Sequence, residues 1–301
     1  MPRTTGSLRS NPTTRLSELA RLRPEWRSWI GLLETAWQAL DDAKWASPLD
    51  QTELAATPHT SSPDSPLLHG RTIRLDPTPA QGLVHRLAAA AAEGDLNGGL
   101  SLSSFQPSAE EALGLISAAV RQDMSAVAEL AADRGVDPGA LAAVAHLSAL
   151  PLLQTCGREL EHLLPSFWHA GYCPVCAAWP VLAERRGLDR SRRLRCGRCA
   201  ADWEVPWLFC IYCGERNHAK LGSLEPEDKG EVVKVETCAT CQGYLKSIAS
   251  LQGFAALDLL LEDLGTIELD LVALERNYRR PVQSGFALEI QVAPHASSRA
   301  R

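Results

Sequence analysis

The sequence predicts an α+β protein: an N-terminal α-helical bundle, two tandem rubredoxin-like or zinc-ribbon metal units, and C-terminal helices. Three observations carry this expectation. The first half is rich in Ala and Leu at helical spacing. Eight of the nine cysteines fall in four C-x-x-C pairs between Cys173 and Cys241. Short β-branched or alternating segments lie between those pairs, and apolar helical periodicity returns after them.

In chain order, residues 1–15 are basic and rich in Ser and Thr and read as a disordered tail. Residues 16–165 form the helical region. Trp26, Trp29, Ile30, Leu33, Trp37 and Leu40 recur at helical spacing behind Pro24, a favoured first helical residue. Pro48, Pro63, Pro66, Pro77 and Pro79 mark a linker with short turns, and no strand is expected in this region. Helices are predicted again over 81–93, 108–134 and 138–150. The last has Asp137 as its cap, and Pro151 kinks or ends it before a further helix at 152–164. Residues 166–250 hold the cysteine units, with β segments expected at 179–186, 192–195, 201–209, 231–237 and 243–248. Residues 251–280 carry two helices on either side of Gly265, and 281–301 read as a frayed tail.

The pairs are Cys173/Cys176, Cys196/Cys199, Cys210/Cys213 and Cys238/Cys241. Two intervening residues let both sulfurs of a pair point into one tight turn. The first two pairs are separated by 19 residues and the last two by 24, close to the spacing of four-thiolate metal sites. Sequential pairing therefore gives two four-cysteine sites; an interleaved arrangement, first with third and second with fourth, is also compatible with the spacing. All eight cysteines are candidate ligands of two mononuclear ions, iron or zinc, between which a tetrahedral donor set of four sulfurs does not choose, with iron–sulfur clusters as the alternative. Cys156 reads as a buried structural thiol, and His169 and His218 as bystanders.

A net charge of -6 argues against bulk nucleic-acid binding. No uninterrupted apolar run reaches the ~18 residues of a membrane span, and no secretory h-region opens the chain, so a cytoplasmic, reducing location is expected. Between residues 184 and 198 stand seven arginines: Arg185, Arg186, Arg190, Arg192, Arg193, Arg195 and Arg198. They read as a solvated face that offsets the metal sites, with docking of an acidic partner or of nucleic acid as the alternatives. Trp203, Trp207, Phe209 and Tyr212 are expected to pack between the two small units. There is no P-loop, G-x-G-x-x-G, H-E-x-x-H or nucleophile triad pattern, so no catalytic residue is assigned and an enzyme is not expected.

The motif order resembles the FdhE family of formate dehydrogenase accessory proteins. The residues that carry it are Gly171-Tyr172-Cys173-Pro174-Val175-Cys176, the pairs at Cys196 and Cys210, and Cys238–Cys241 running into Tyr244-Leu245-Lys246. Asp270-Leu271 and Glu275-Arg276-Asn277-Tyr278-Arg279-Arg280 look like the family's last helix. The resemblance implies a cytoplasmic maturation factor that binds the catalytic subunit of a formate dehydrogenase, with rubredoxin-like sites for iron or zinc. It leaves oligomeric state open. A zinc-ribbon nucleic-acid-binding protein and a rubredoxin-like electron carrier are the competing functions. One departure stands out: Ala177 and Ala200 follow the first two pairs where the family often has Gly, while Gly214 keeps it. A Cβ there opposes the left-handed turn such a knuckle prefers, so strain or an altered turn is expected at the first site.

Overall fold

The computed structural model describes residues 12–40, 45, 48–50, 64–93, 99–227 and 232–294. The expected tails at 1–11 and 295–301 lie outside them. Helix α1 (Pro12–Leu22) begins inside the segment expected as tail. Its Leu16 is buried against Leu257 and Leu261, and Arg15 pairs with Asp258 and Glu262. Helix α2 (Arg27–Gln38) follows a short 3-10 turn at Pro24–Trp26.

Within the expected linker lies a strand, β1 (Thr72–Leu75), parallel to β8 (Gln291–Pro294) from the expected C-terminal tail. Four residues of T-I-R-L are too short to register as alternation, and the pairing partner lies far along the chain. Helix α3 (Pro77–Glu93) then starts at Pro77, four residues before the expected onset. Helices α4 (Ala109–Arg121) and α5 (Met124–Arg134) divide the segment expected as one stretch. Ser108 and Glu111 form a reciprocal capping box at the start of α4. Gln122 turns left-handed at φ 62°, and the Asp123 carboxylate caps α5 by accepting from the Ala126 N–H.

Helix α6 (Pro138–Leu160) starts as expected on an Asp137 cap that accepts from Ala140 N at 2.7 Å. It does not stop at Pro151. A proline inside a helix costs about 3 kcal/mol in a missing bond and a ring clash. Here Leu150, Leu152, Leu153, Cys156 and Leu160 are all buried, and that contact offsets the cost. Extended to Leu163, this helix is long and apolar enough to cross a membrane, although His146, Ser148, Gln154 and Thr155 interrupt its apolar stretch before the charged end at 158–162. In the window concerned 72% is buried inside the protein, as in a core helix.

The cysteine region folds as one six-stranded sheet in the order β4-β3-β2-β7-β6-β5. One half is the antiparallel set β2 (Leu182–Arg186), β3 (Ser191–Arg195) and β4 (Asp202–Glu204). The other is β5 (Leu221–Leu224), β6 (Val233–Cys238) and β7 (Tyr244–Ser250). Each half repeats one plan: a cysteine turn, a hairpin, a second cysteine turn, a last strand. Parallel pairing of β2 with β7, Ala183 opposite Ser247, fuses the halves. Strand β5, with its exposed Gly222-Ser223, was not expected, and the segment at 201–209 is strand only over three residues. Helices α7 (Ala256–Gly265) and α8 (Ile267–Glu275) follow.

The largest hydrophobic cluster is continuous from Leu32 in α2 through α3, α4 and α6 to the first cysteine turns and Leu245. Helical and metal-type regions thus share a core. Gly157 of α6 marks their close approach: a Cβ there would lie 2.1 Å from the Cys199 carbonyl oxygen. Within the cysteine region, a Cβ on Gly171 would lie 1.9 Å from the Ile211 carbonyl oxygen.

Candidate metal centres

All four C-x-x-C turns have the same backbone. The first cysteine's N–H donates to the carbonyl five residues on: Ala178, Ala201, Glu215 and Gly243, at 2.8–3.0 Å. Residues Ala177, Ala200, Gly214 and Gln242 after each second cysteine are all left-handed, at φ 63°, 63°, 76° and 56°. The first site therefore keeps the ordinary knuckle rather than an altered turn, and its two alanines carry the conformational cost.

These turns converge in sequence order. Cys173, Cys176, Cys196 and Cys199 form one group, and Cys210, Cys213, Cys238 and Cys241 the other. Within each group all sulfurs lie within 4.8 Å of one another, and no described sulfur group joins first with third or second with fourth pairs. The interleaved alternative is excluded by this geometry. Close S···S approaches are 3.4 Å for Cys173–Cys199, 3.5 Å for Cys176–Cys196, 3.6 Å for Cys210–Cys241 and 3.7 Å for Cys213–Cys238. A tetrahedral ion with ~2.3 Å thiolate bonds requires edges of about 3.8 Å, so both groups fit one ion each. Backbone N–H groups of Val175, Arg198 and Cys199 point at Sγ atoms of the first group at 3.4–3.5 Å. Such donors offset thiolate charge.

The environments differ. The first group is wholly buried. Burial raises the Cys173 and Cys199 thiols well above their usual range. Burial also opposes ionising Cys196, but hydrogen bonds from Cys173, Cys176 and Cys199 outweigh it and hold that thiol well below the usual value. In the second group Cys210 and Cys238 are buried while Cys213 and Cys241 are exposed. Beside it the Glu215 carboxylate accepts from Asn217 N, Thr240 Oγ1 and Arg216 N, which together pull its pKa down to about 2. That bracing ties the third turn to the fourth. Cys156 is buried on α6 outside both groups, its thiol raised by burial, and neither His169 nor His218 joins a described sulfur group.

The arginine hairpin is largely committed to the protein itself. Arg192, only 3% exposed, donates to Glu236 and to the Pro206 and Phe209 carbonyls. Arg193 pairs with Asp202 and Glu204, and Arg186 with Glu184 and Asp202. Arg195 pairs with the fully buried Glu184, Arg185 donates to the Val232 carbonyl, and Arg198 to that of Ala119. A free basic stripe for phosphates is therefore not what these residues present, contrary to the solvated face expected. Of the four aromatic residues, Trp203 and Phe209 are buried and Tyr212 packs on the same core. Trp207 instead is 44% exposed, with the Lys234 ammonium over its ring.

One polar assembly was missed by sequence reasoning. Lys246, wholly buried on β7, contacts Asp263 at 2.6 Å and Asp270 at 2.7 Å. Arg280 donates to Asp270 at 2.9 Å, and Tyr244 Oη to the same carboxylate at 2.8 Å. The signal was present: a lysine between Leu245 and Ile248 in the strand segment after the last cysteine pair. Tyr244, Lys246, Asp270 and Arg280 thus join two stretches that carried the family resemblance into one buried network.

Together these features define an α+β protein in which two four-thiol centres are built into one sheet. Residues 208–286 match the family model described as FdhE, C-terminal domain, so the resemblance to the FdhE family holds over that part of the chain. The "Protein FdhE homolog" of Stutzerimonas stutzeri (strain A1501) is 36% identical over 111 residues, which are 36% of this chain and 35% of the relative. That of Pseudomonas aeruginosa is 35% identical over 115 residues, 36% and 37% of the two chains. "Protein FdhE" of Escherichia coli O127:H6 is 31% identical over 114 residues, 36% and 35%. The matched part of the chain thus spans little more than a third of these relatives' length. The fold extends further: the crystal structure of the FdhE protein from Pseudomonas aeruginosa superposes with a TM-score of 0.59. That superposition covers 92% of this chain and 94% of the other at 23% identity.

Proposed function

We propose that this chain is a cytoplasmic accessory factor that binds the catalytic subunit of a formate dehydrogenase and supports its assembly. The observation that carries the reading is the pair of sequential four-thiol groups, the second of which lies inside the segment that matches the FdhE C-terminal domain. In this reading Cys173, Cys176, Cys196 and Cys199 hold one iron or zinc ion and Cys210, Cys213, Cys238 and Cys241 a second. Four protein thiolates close a tetrahedral ion and leave no position for substrate, which favours a binding role over catalysis. The ions clamp the turns from which the six strands emerge, so that the sheet and the helices on it form one rigid surface for a partner.

The test is capture from formate-grown cells. A tagged chain is expected to co-purify, under crosslinking, with a molybdenum- or tungsten-dependent formate dehydrogenase subunit. A deletion strain with normal formate dehydrogenase activity, and no such subunit in the capture, refutes the reading. Elemental analysis with visible absorption, on protein purified without oxygen, decides the metal, because ferric iron in four thiolates is coloured and zinc is not.

A further inference from the structure

We propose that the two centres divide their work: the Cys173 group is a permanent structural clamp, and the Cys210 group is an exchange centre. Its ion passes to and from soluble thiol-bearing carriers through Cys213 and Cys241. The proposal rests on the reading of both groups as metal centres and adds a function to one of them.

The first group is sealed from three directions. Leu67 N and Leu68 N donate to the Pro174 and Val175 carbonyls at 2.7 and 3.0 Å, laying the 64–68 segment over the first turn. Gly157 of α6 presses on the Cys199 carbonyl. Gln122 Nε2 donates to the Cys176 carbonyl, and the Arg198 guanidinium to the Ala119 carbonyl at the end of α4. All four cysteines are 0–2% exposed. An external donor reaches their sulfurs only if α4, α6 and the 64–68 segment lift away, an opening of the shared core.

Among the described residues, the second group has no such cover on one side. Cys213 and Cys241 are exposed, and so are their neighbours Gly214, Ala239, Thr240 and Gln242. The other two sulfurs, Cys210 and Cys238, are anchored inward, Cys238 at the end of β6. Two fixed and two accessible thiolates suit stepwise ligand exchange. An incoming thiol would give its proton to Cys241 as the bond from the ion to Cys241 gave way to one from the new sulfur, and Cys213 would follow in the same way. Two further carrier thiols would then displace Cys210 and Cys238, so that all four cysteines end as thiols, the ion leaves on four carrier sulfurs, and no electron changes hands. Glu215 braces the turns throughout, holding Thr240 and the backbone of 216–217 whether or not the Cys213 and Cys241 sulfurs are bound.

The experiment uses the full chain loaded with two equivalents of zinc. It is challenged with excess 4-(2-pyridylazo)resorcinol in the presence of glutathione, with N-ethylmaleimide labelling followed by mass spectrometry. One equivalent is expected to leave about a hundredfold faster than the other. Labelling of Cys213 and Cys241 should accompany the fast phase, with the helical circular dichroism retained. A Cys241→Ser chain is expected to keep only the slow equivalent. Loss of both equivalents at one rate, or a fast phase that labels Cys173–Cys199 first, overturns the division while leaving two metal centres standing. A chain that takes up neither zinc nor iron overturns the metal reading itself, and the division with it.

Discussion

Replacing Ala177 and Ala200 by glycine is expected to have unequal effects. Both residues sit at φ 63°. For a residue with a Cβ that conformation costs about 1–2 kcal/mol, and glycine gives back roughly 0.5–1 kcal/mol of it through its greater unfolded-state entropy. Relief of strain alone therefore predicts about 0.5–1 kcal/mol of stabilisation at either position. Ala177, however, is 0% exposed in the main core, where a methyl-sized group is worth about 0.8 kcal/mol. Ala200 is only partly buried and gives up less. Ala200→Gly should thus stabilise the metal-loaded protein by a few tenths of a kcal/mol, below the roughly 0.5–1 kcal/mol of strain relief alone, and Ala177→Gly should be close to neutral. Urea unfolding of the loaded chains, followed by circular dichroism, measures the difference through the midpoint at constant m value. If Ala200→Gly is destabilising, or both changes stabilise equally, the balance of turn strain against burial is wrong.

Three further sites of perturbation follow from the packing, with one control. Gly157→Ala puts a methyl into the Cys199 carbonyl and should cost about 3 kcal/mol and loosen the first metal equivalent. Gly114→Ala on α4, where nothing lies within 4 Å, is the control and should instead stabilise by up to ~1 kcal/mol in the same denaturation assay. Lys246→Met leaves Asp263 to Arg280, and Asp270 to Arg280 and the Tyr244 hydroxyl, and should cost about 3 kcal/mol; adding Asp270→Asn should recover part of that, read as a non-additive double-mutant cycle. Arg192→Ala removes the partner of Glu236 and a donor to two carbonyls, and should lower stability by about 3 kcal/mol. A binding defect in that variant with an unchanged urea midpoint would make the hairpin a docking surface after all.

Local chemistry was legible in the sequence because its causes are local. A C-x-x-C turn closes within six residues, so four of them at those spacings marked the ligand candidates before any packing was known, while the conformation of the alanine-bearing turns was left to the structure. Capping by Asp137 and the helical rhythm of α2, α3 and α6 depend on neighbours three or four residues away, and they were legible too. Helix ends were less so. Pro151 reads as a stop until the burial of the helix around it enters the balance, and the break at Gln122–Asp123 rests on one left-handed residue.

Tertiary structure decided the rest. Pairing of β1 with β8 and of β2 with β7 joins segments far apart in the chain, and parallel ladders leave no turn signal between partners. The arginine hairpin read as a surface because charge usually is, yet its carboxylate partners Glu184, Asp202 and Glu236 come from three strands that only the sheet brings together. The sequence by itself determined that this protein presents two sets of four thiols, with Ala177 and Ala200 after the pairs of the first; Gln242 carries the same left-handed cost in the second. Only the fold decided that this first set lies sealed in the shared core while the second keeps two sulfurs at the surface. Ligand identity is written in residues a few positions apart, whereas exposure is set by whatever distant segments fold over them.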